Sequence, residues 1–183
     1  AWAGPLRFSD QHASKLDGIE AADSVGFSAH KWLYQPKGAA LILFKDVDQA
    51  HQAMSYGGGY LSAPNIGLLG STPASALPLA ATLMHWGREG LAKHIDSDMT
   101  KAEHLKNLVQ DHPDFELWGP SETGIVVWRP KTVSAKKVRA NLKDAWVSLT
   151  DIEGEMWLRS VAANPSADPD FVFKKILEAT LVN

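Results

Sequence analysis

Ser24-Val25-Gly26-Phe27-Ser28-Ala29-His30-Lys31-Trp32-Leu33-Tyr34-Gln35-Pro36-Lys37-Gly38-Ala39-Ala40-Leu41-Ile42-Leu43-Phe44 is the stretch that decides how this chain folds. Ser24 to Ser28 and Ala39 to Phe44 read as two strands, and Pro36-Lys37-Gly38 supplies the turn chemistry between them. The second run is apolar on both faces, the pattern of an interior strand in an α/β sheet. Lys31 falls where the first strand ends, between a histidine and a tryptophan. Burial there would lower the pKa of its ammonium and release the amine as a nucleophile or Schiff-base former. The competing reading is a lysine that lays its stem on an apolar edge and keeps its charge in water.

Outward from this segment, Gly4-Pro5 breaks an extended start, and Lys15 to Ala22 reads as a short helix. Tyr56-Gly57-Gly58-Gly59-Tyr60 opens a stretch that runs to Gly70 as a mobile loop or domain crossover. A long helix follows, with Ala76, Leu77, Ala80, Leu83, Met84 and Leu91 as one buried stripe and Pro78 near its start. A second helix spans about Asp98 to Asp111, and His112-Pro113 closes it. Strands follow at Phe115 to Trp118 and Ile125 to Trp128. A helix covers Ser134 to Lys143, with further strands near Ala145 to Thr150 and Met156 to Ala162. Asp168 is the expected N-cap of the last helix, with Pro169 at its first position. This order predicts a small α/β domain with a mainly antiparallel sheet packed on helices.

The 183 residues are 45% hydrophobic and 21% charged, with a formal net charge of -3. No basic excess points to nucleic acid. Cysteine is absent, which excludes disulfides and thiolate metal sites. No apolar stretch approaches the roughly 20 residues of a membrane-spanning helix, and no secretory signal is present. The expectation is a soluble, cytoplasmic protein with no membrane partner. The seven histidines form no His-Glu-x-x-His pattern, and His85, His94, His104 and His112 suit helix surfaces and ends, so no metal is expected. Gly57-Gly58-Gly59 is not a phosphate loop, because no Gly-Lys-Ser/Thr follows, and Ser71, Ser75 and Asp96 have no triad spacing. The seven tryptophans read as core, Lys136-Lys137 and Lys174-Lys175 as solvated helix faces, and Asp23 as a side chain that holds local backbone.

Ser28-x-His30-Lys31-Trp32, followed by a breaker and the Ala39 to Phe44 strand, resembles the cofactor-lysine segment of the group II pyridoxal-phosphate-dependent amino acid decarboxylases, which include aromatic, glutamate, tyrosine and diaminobutyrate decarboxylases. Ala1-Trp2-Ala3-Gly4 resembles the end of that family's aspartate-led motif. Gly70-Ser71 resembles the start of its Gly-Ser/Thr-Arg segment, although Thr72 stands where the arginine would be. Arg159-Ser160-Val161-x-x-Asn164-Pro165 resembles its carboxy-terminal Arg-x-Val-x-x-Asn-Pro element. All four lie in the family's order.

The resemblance implies the carboxy-terminal part of an aspartate-aminotransferase-like large domain (fold type I) joined to a small α/β carboxy-terminal domain. The boundaries expected from it are 1–55 for the large-domain part, 56–97 for the glycine-rich loop and connecting helix, and 98–183 for the small domain. It implies pyridoxal 5'-phosphate as cofactor and an L-amino acid as the substrate to be decarboxylated. Lys31 would carry the Schiff base, His30 would contact the phosphate or order the lysine, Ser28 would bind the phosphate, and Ala1 would flank the pyridine ring. Arg159 would anchor the substrate carboxylate through its planar fork, against the alternative of an ion pair with Glu153 or Glu155. Tyr56 and Tyr60 are candidate lid residues. The family's aspartate that faces the pyridine nitrogen would lie upstream of Ala1. The chain therefore reads as an incomplete portion of the enzyme, expected to form a homodimer or to associate with a missing amino-terminal portion. The alternative function is a catalytically inactive decarboxylase-like domain that acts in assembly.

Overall fold

A computed structural model describes residues 1–59, 65–66, 74 and 76–182. They group into two compact units, 1–92 and 93–183, each treated by itself.

In the first unit, 3-10 turns at Gly4–Phe8, Ala13–Leu16 and Ile19–Ala21 lead into β1 (Ser24–Ser28). The expected Lys15 to Ala22 helix is therefore two separate turns. Gly18 lies between them at φ 92, a left-handed conformation that stops helix propagation. Strand β1 pairs antiparallel with β2 (Ala40–Phe44), Ser24 opposite Phe44 and Ser28 opposite Ala40. Helix α1 (Val47–Met54) follows at once, with the Asp46 side chain accepting from the Gln49 N–H at 2.9 Å as its N-cap. The sequence reading passed over this helix. Strands β3 (Ser55–Tyr56) and β4 (Asn65–Ile66) form a minimal antiparallel pair. The core joins Ala29, Leu33, Ala39, Leu79 and Leu91, with Phe27, Leu83 and Trp86 packed against it.

Several expectations fail here. Within this chain β2 is not covered on both faces, since Ile42 is 59% and Leu43 55% exposed. The buried stripe of the long helix α2 (Ala76–Asp111) runs through Leu79, Leu83, Trp86 and Leu91, whereas Leu77 (68%) and Met84 (86%) face outward. Leu79, Leu83 and Trp86 keep the i, i+4, i+7 spacing of one helix face, and Leu77 and Met84 lie off it. Helix α2 also continues through Asp98, which is buried inside it, and its break falls at Gly87, with φ 59 and ψ -173. Among the described residues the Asp23 side chain makes no hydrogen bond to the backbone. Its carbonyl accepts from the Lys45 N–H at 2.9 Å instead.

The second unit holds the remainder of α2, β5 (Phe115–Leu117), β6 (Ile125–Pro130), α3 (Ala135–Asn141), β7 (Ser148–Ile152), β8 (Glu155–Val161) and α4 (Pro169–Leu181). Its sheet has the order β5-β6-β8-β7, every neighbouring pair antiparallel. Strands β7 and β8 meet through Glu153 and Gly154, with φ 56 and φ 82, the paired positive values of a tight hairpin turn. Alternation then sorts the sheet into two faces. Val126, Trp128 and Leu158 turn toward the core with Leu105, Val109, Val138, Phe173 and Ile176 from the helices. Trp128 donates its indole N–H to Ser160 Oγ at 3.0 Å, so the buried ring keeps a partner. Asp168 caps α4 as predicted, accepting from the Asp170 and Phe171 N–H groups at 3.0 and 3.4 Å.

The other differences are local. Strand β7 begins at Ser148, later than Ala145, because Asp144 takes a positive φ of 62 and Trp146 swings outward (76% exposed) over the Arg139 guanidinium, 3.5 Å from its carbon to the ring centroid. Trp118 is exposed as well, so not every tryptophan is core. Lys175 is half-buried and pairs with Glu178 at 2.9 Å and Asp144 at 3.9 Å, unlike its solvated neighbour Lys174.

Candidate active site

The turn after β1 is held from both ends. The Ala29 N–H donates to the Ala39 carbonyl at 3.0 Å, and the Gln35 N–H returns to the Ala29 carbonyl at 3.1 Å. Ala29, Trp32 and Leu33 are buried, and Gln35 is buried with its amide donating to the Leu33 carbonyl and to Thr82 Oγ1 at 2.7 and 2.9 Å. Tyr34 accepts a strained positive φ of 54 to close the turn. Lys31 sits inside this clamp, half-buried between the exposed His30 and the buried Trp32. Its amine lies 5.9 Å from the Trp2 ring centroid, and Trp2 packs on Trp32 at 5.0 Å. Among the described residues no carboxylate reaches the Lys31 amine within 4 Å.

Ser28 and Ala1 belong to the same neighbourhood, because the Ser28 N–H donates to the Ala1 carbonyl at 3.1 Å and the Lys31 N–H to the Ser28 carbonyl at 3.4 Å. Ser28 is half-buried and Ala1 exposed. The structure therefore gathers Ala1, Ser28, His30 and Lys31 around one turn, with Trp2 as an aromatic wall. Trp2 carried no role in the sequence reading. The signal was its place inside the Ala1 to Gly4 motif, which generic core packing obscured.

Arg159 occupies the opposite face of the second unit's sheet from the core. It projects on the side of Val127, its β6 partner, and of Ser148, its β7 partner. Neither Glu153 nor Glu155 pairs with it. Glu155 binds Arg129 instead, at 2.6 Å, together with Glu116 at 2.5 Å, and the Arg129 guanidinium covers Trp157 at 4.1 Å. The hydrogen bond to Glu116 holds the Arg129 pKa above its ordinary value; burial opposes that and Glu155 adds to it. The side chain of Arg159 meets Ser148, its Nε–H donating to Ser148 Oγ at 3.2 Å.

Tyr56 lies half-buried at the end of β3. Tyr60, Gly70, Ser71 and Thr72 lie outside the described residues. A cavity of about 930 Å³ in the first unit is lined by Asp23, Phe44, Asp46, Val47, Ala50 and Met54, and one of about 710 Å³ in the second by Lys101, Trp146, Asn164 and Phe171 among others. Neither is lined by Lys31 or Arg159. Among the described residues no three His, Asp or Glu side chains are grouped to hold a metal ion, and no helix is long and apolar enough to cross a membrane.

The fold places the chain among proteins built on the pyridoxal-phosphate-dependent decarboxylase scaffold. It superposes on Oryza sativa TDC, solved with PLP and tryptamine, at a TM-score of 0.81 and 21% identity, covering 98% of this chain and 43% of that one. The chain belongs to the pyridoxal-dependent decarboxylase family, whose conserved domain matches residues 1–131. It is 32% identical over 156 residues to aspartate 1-decarboxylase of Aliivibrio fischeri, covering 82% of this chain and 27% of that protein. It is 28% identical over 200 residues to L-2,4-diaminobutyrate decarboxylase of Rhizobium meliloti, covering 98% of this chain and 40% of that protein. The chain thus spans well under half the length of these relatives.

Proposed function

We propose that this chain contributes the lysine-bearing part of a pyridoxal-phosphate-dependent L-amino acid decarboxylase, with Lys31 as the amine that holds the cofactor. The observation that carries the reading is the clamped turn, which presents a half-buried primary amine beside an aromatic ring and away from any described carboxylate. These residues suit an aldehyde-bearing aromatic phosphate. The amine would take the aldehyde carbon, the Ser28 hydroxyl and the exposed His30 would face the phosphate, and Ala1 would lie along the ring.

When bound, pyridoxal phosphate supplies the electron sink for breaking a bond at the substrate's Cα. The chain's own residues would do the rest. The buried anchors Trp32 and Leu33 fix where the Lys31 amine points. Arg159 would orient the substrate through its carboxylate, which decides the bond that aligns for cleavage. Tyr56 is the described lid candidate, its phenol able to hold or deliver a proton, with Tyr60 the other.

A second reading has its own observation. Ile42, Leu43, Val47 and Met54 expose apolar surface on β2 and α1, as a domain that acts through association would. On this reading the chain pairs with itself or with another polypeptide.

Titration with pyridoxal phosphate, borohydride trapping and peptide mapping test the first reading. Stoichiometric label at Lys31 is expected, and Lys31→Ala abolishes it with the far-ultraviolet circular dichroism unchanged. Label scattered over surface lysines, or an undiminished adduct in Lys31→Ala, removes Lys31 from the role.

A further inference from the structure

The contact between Arg159 and Ser148 does more than fill space. The two residues are direct partners across β7 and β8. The Ser148 hydroxyl donates to the Arg159 carbonyl at 3.1 Å and accepts from the Arg159 Nε–H at 3.2 Å. A hydroxyl has one proton to give. With that proton on the carbonyl, an oxygen lone pair is directed at Nε, so a single serine ties the guanidinium of Arg159 back to its own main chain. Val127 flanks the arginine on β6, and Trp157 and Val161 flank it along β8. Among the described residues no acid reaches it.

A guanidinium receives a carboxylate in two planar ways, side-on through Nε and one terminal nitrogen, or end-on through both terminal nitrogens. With Nε occupied by Ser148, the side-on edge is closed. We propose that Ser148 is a positioning residue for Arg159, holding its guanidinium so that only the end-on pair of Nη groups is presented to a carboxylate. This rests on Arg159 being a carboxylate anchor. Ser148 touches neither substrate nor cofactor in this scheme. It sets the direction from which a carboxylate is received.

The test uses the full chain and reads arginine side-chain N–H signals by NMR, with Arg159 assigned by the signal that Arg159→Lys removes. In the wild type the Arg159 Nε–H is expected to exchange slowly with water. Ser148→Thr preserves this, and Ser148→Ala moves the signal to that of a solvated arginine. Acetate, titrated against chloride at matched ionic strength, is expected to shift the Nη groups and leave Nε unmoved. Its binding weakens roughly three- to tenfold in Ser148→Ala, as the loss of one hydrogen bond allows, recovers in Ser148→Thr and disappears in Arg159→Lys. An Nε–H that is the same in wild type and Ser148→Ala overturns the positioning role whatever acetate does. A slowly exchanging Nε–H with no acetate effect at Arg159 overturns the anchor, and with it the end-on fork.

Discussion

Residues 93–183 and residues 1–92 solve the problem of burying apolar surface to different extents. In the second unit a four-stranded sheet closes over three helices, and the connected core includes Trp128, Leu158, Ile176, Val138 and Val109, all nearly or wholly inaccessible. In the first, the connected core is Ala29, Leu33, Ala39, Leu79 and Leu91, under a two-stranded ribbon with Ile42 and Leu43 in solvent. Two strands are marginal without further partners. Yet the first unit holds the Lys31 turn, which is held by hydrogen bonds and the buried Ala29, Trp32, Leu33 and Gln35 rather than by a large core. The turn proposed to hold the cofactor thus lies in the less buried unit, whereas the proposed anchor Arg159 lies on the sheet of the more buried one.

The largest test of this contrast is core truncation. Leu158→Ala is expected to cost about 2–5 kcal/mol, because the sheet and helices around it cannot collapse onto the gap. Leu33→Ala should fall at or below the low end of that range, since its smaller, more open surroundings can relax. Urea unfolding followed by tryptophan fluorescence measures both. Equal costs at the two sites would break the contrast.

A smaller test compares helix caps of the same kind. Asp168 caps the 13-residue α4, and Asp46 caps the 8-residue α1. Asp168→Ala is expected to lower stability by about 1 kcal/mol. Asp46→Ala removes the same type of bond from a short helix with one buried residue, Ala50, so it should show as faster amide exchange confined to α1 more than as a shift in global unfolding. A global shift equal to that of Asp168→Ala would tie α1 to the rest of the fold more firmly than its burial indicates.

The same division explains what was legible in the sequence. Asp168-Pro169, the Ser134 to Lys143 run and the strand patterns at Ile125 to Trp128 and Met156 to Ala162 are local signals, and each element they mark lies within two residues of the expected bounds. In the first unit local pattern misled. Ala39 to Phe44 carries the composition of an interior strand, but within these residues it has one partner. Leu77 and Met84 are helical and apolar, and which face of a helix is buried depends on what packs there. Lys31, Ser28, His30 and Ala1 are singled out by motif alone, and their joining by the Ala1 to Ser28 bond is a three-dimensional fact. Arg159 is singled out the same way. The alternative of an ion pair with Glu153 or Glu155 is not met, because Glu155 goes to Arg129 and cross-strand register sets Ser148 beside Arg159.

The cations differ in the partners they meet. Arg129 and Lys175 are partly buried and each meets two carboxylates, so their charges are spent within the fold. Lys31 and Arg159 meet none among the described residues, a trait they share with surface lysines such as Lys136 and Lys137. The sharpest small-scale check lies in the Lys175–Glu178 pair. The hydrogen bond from Lys175 holds the Glu178 carboxyl below the usual glutamate range, and the bond to Glu178 holds the Lys175 ammonium above the usual lysine range. The glutamate's contribution is therefore present above its unfolded pKa and lost as pH falls through the depressed folded value. The lysine's is present below its unfolded pKa and lost as pH rises through the raised one. Glu178 is half exposed, and solvent screening keeps the effect on stability slight. An NMR titration of Glu178 should show the depressed value in the wild type and a return toward the ordinary range in Lys175→Met. If Lys175→Met leaves Glu178 unchanged, the pair is not formed in solution.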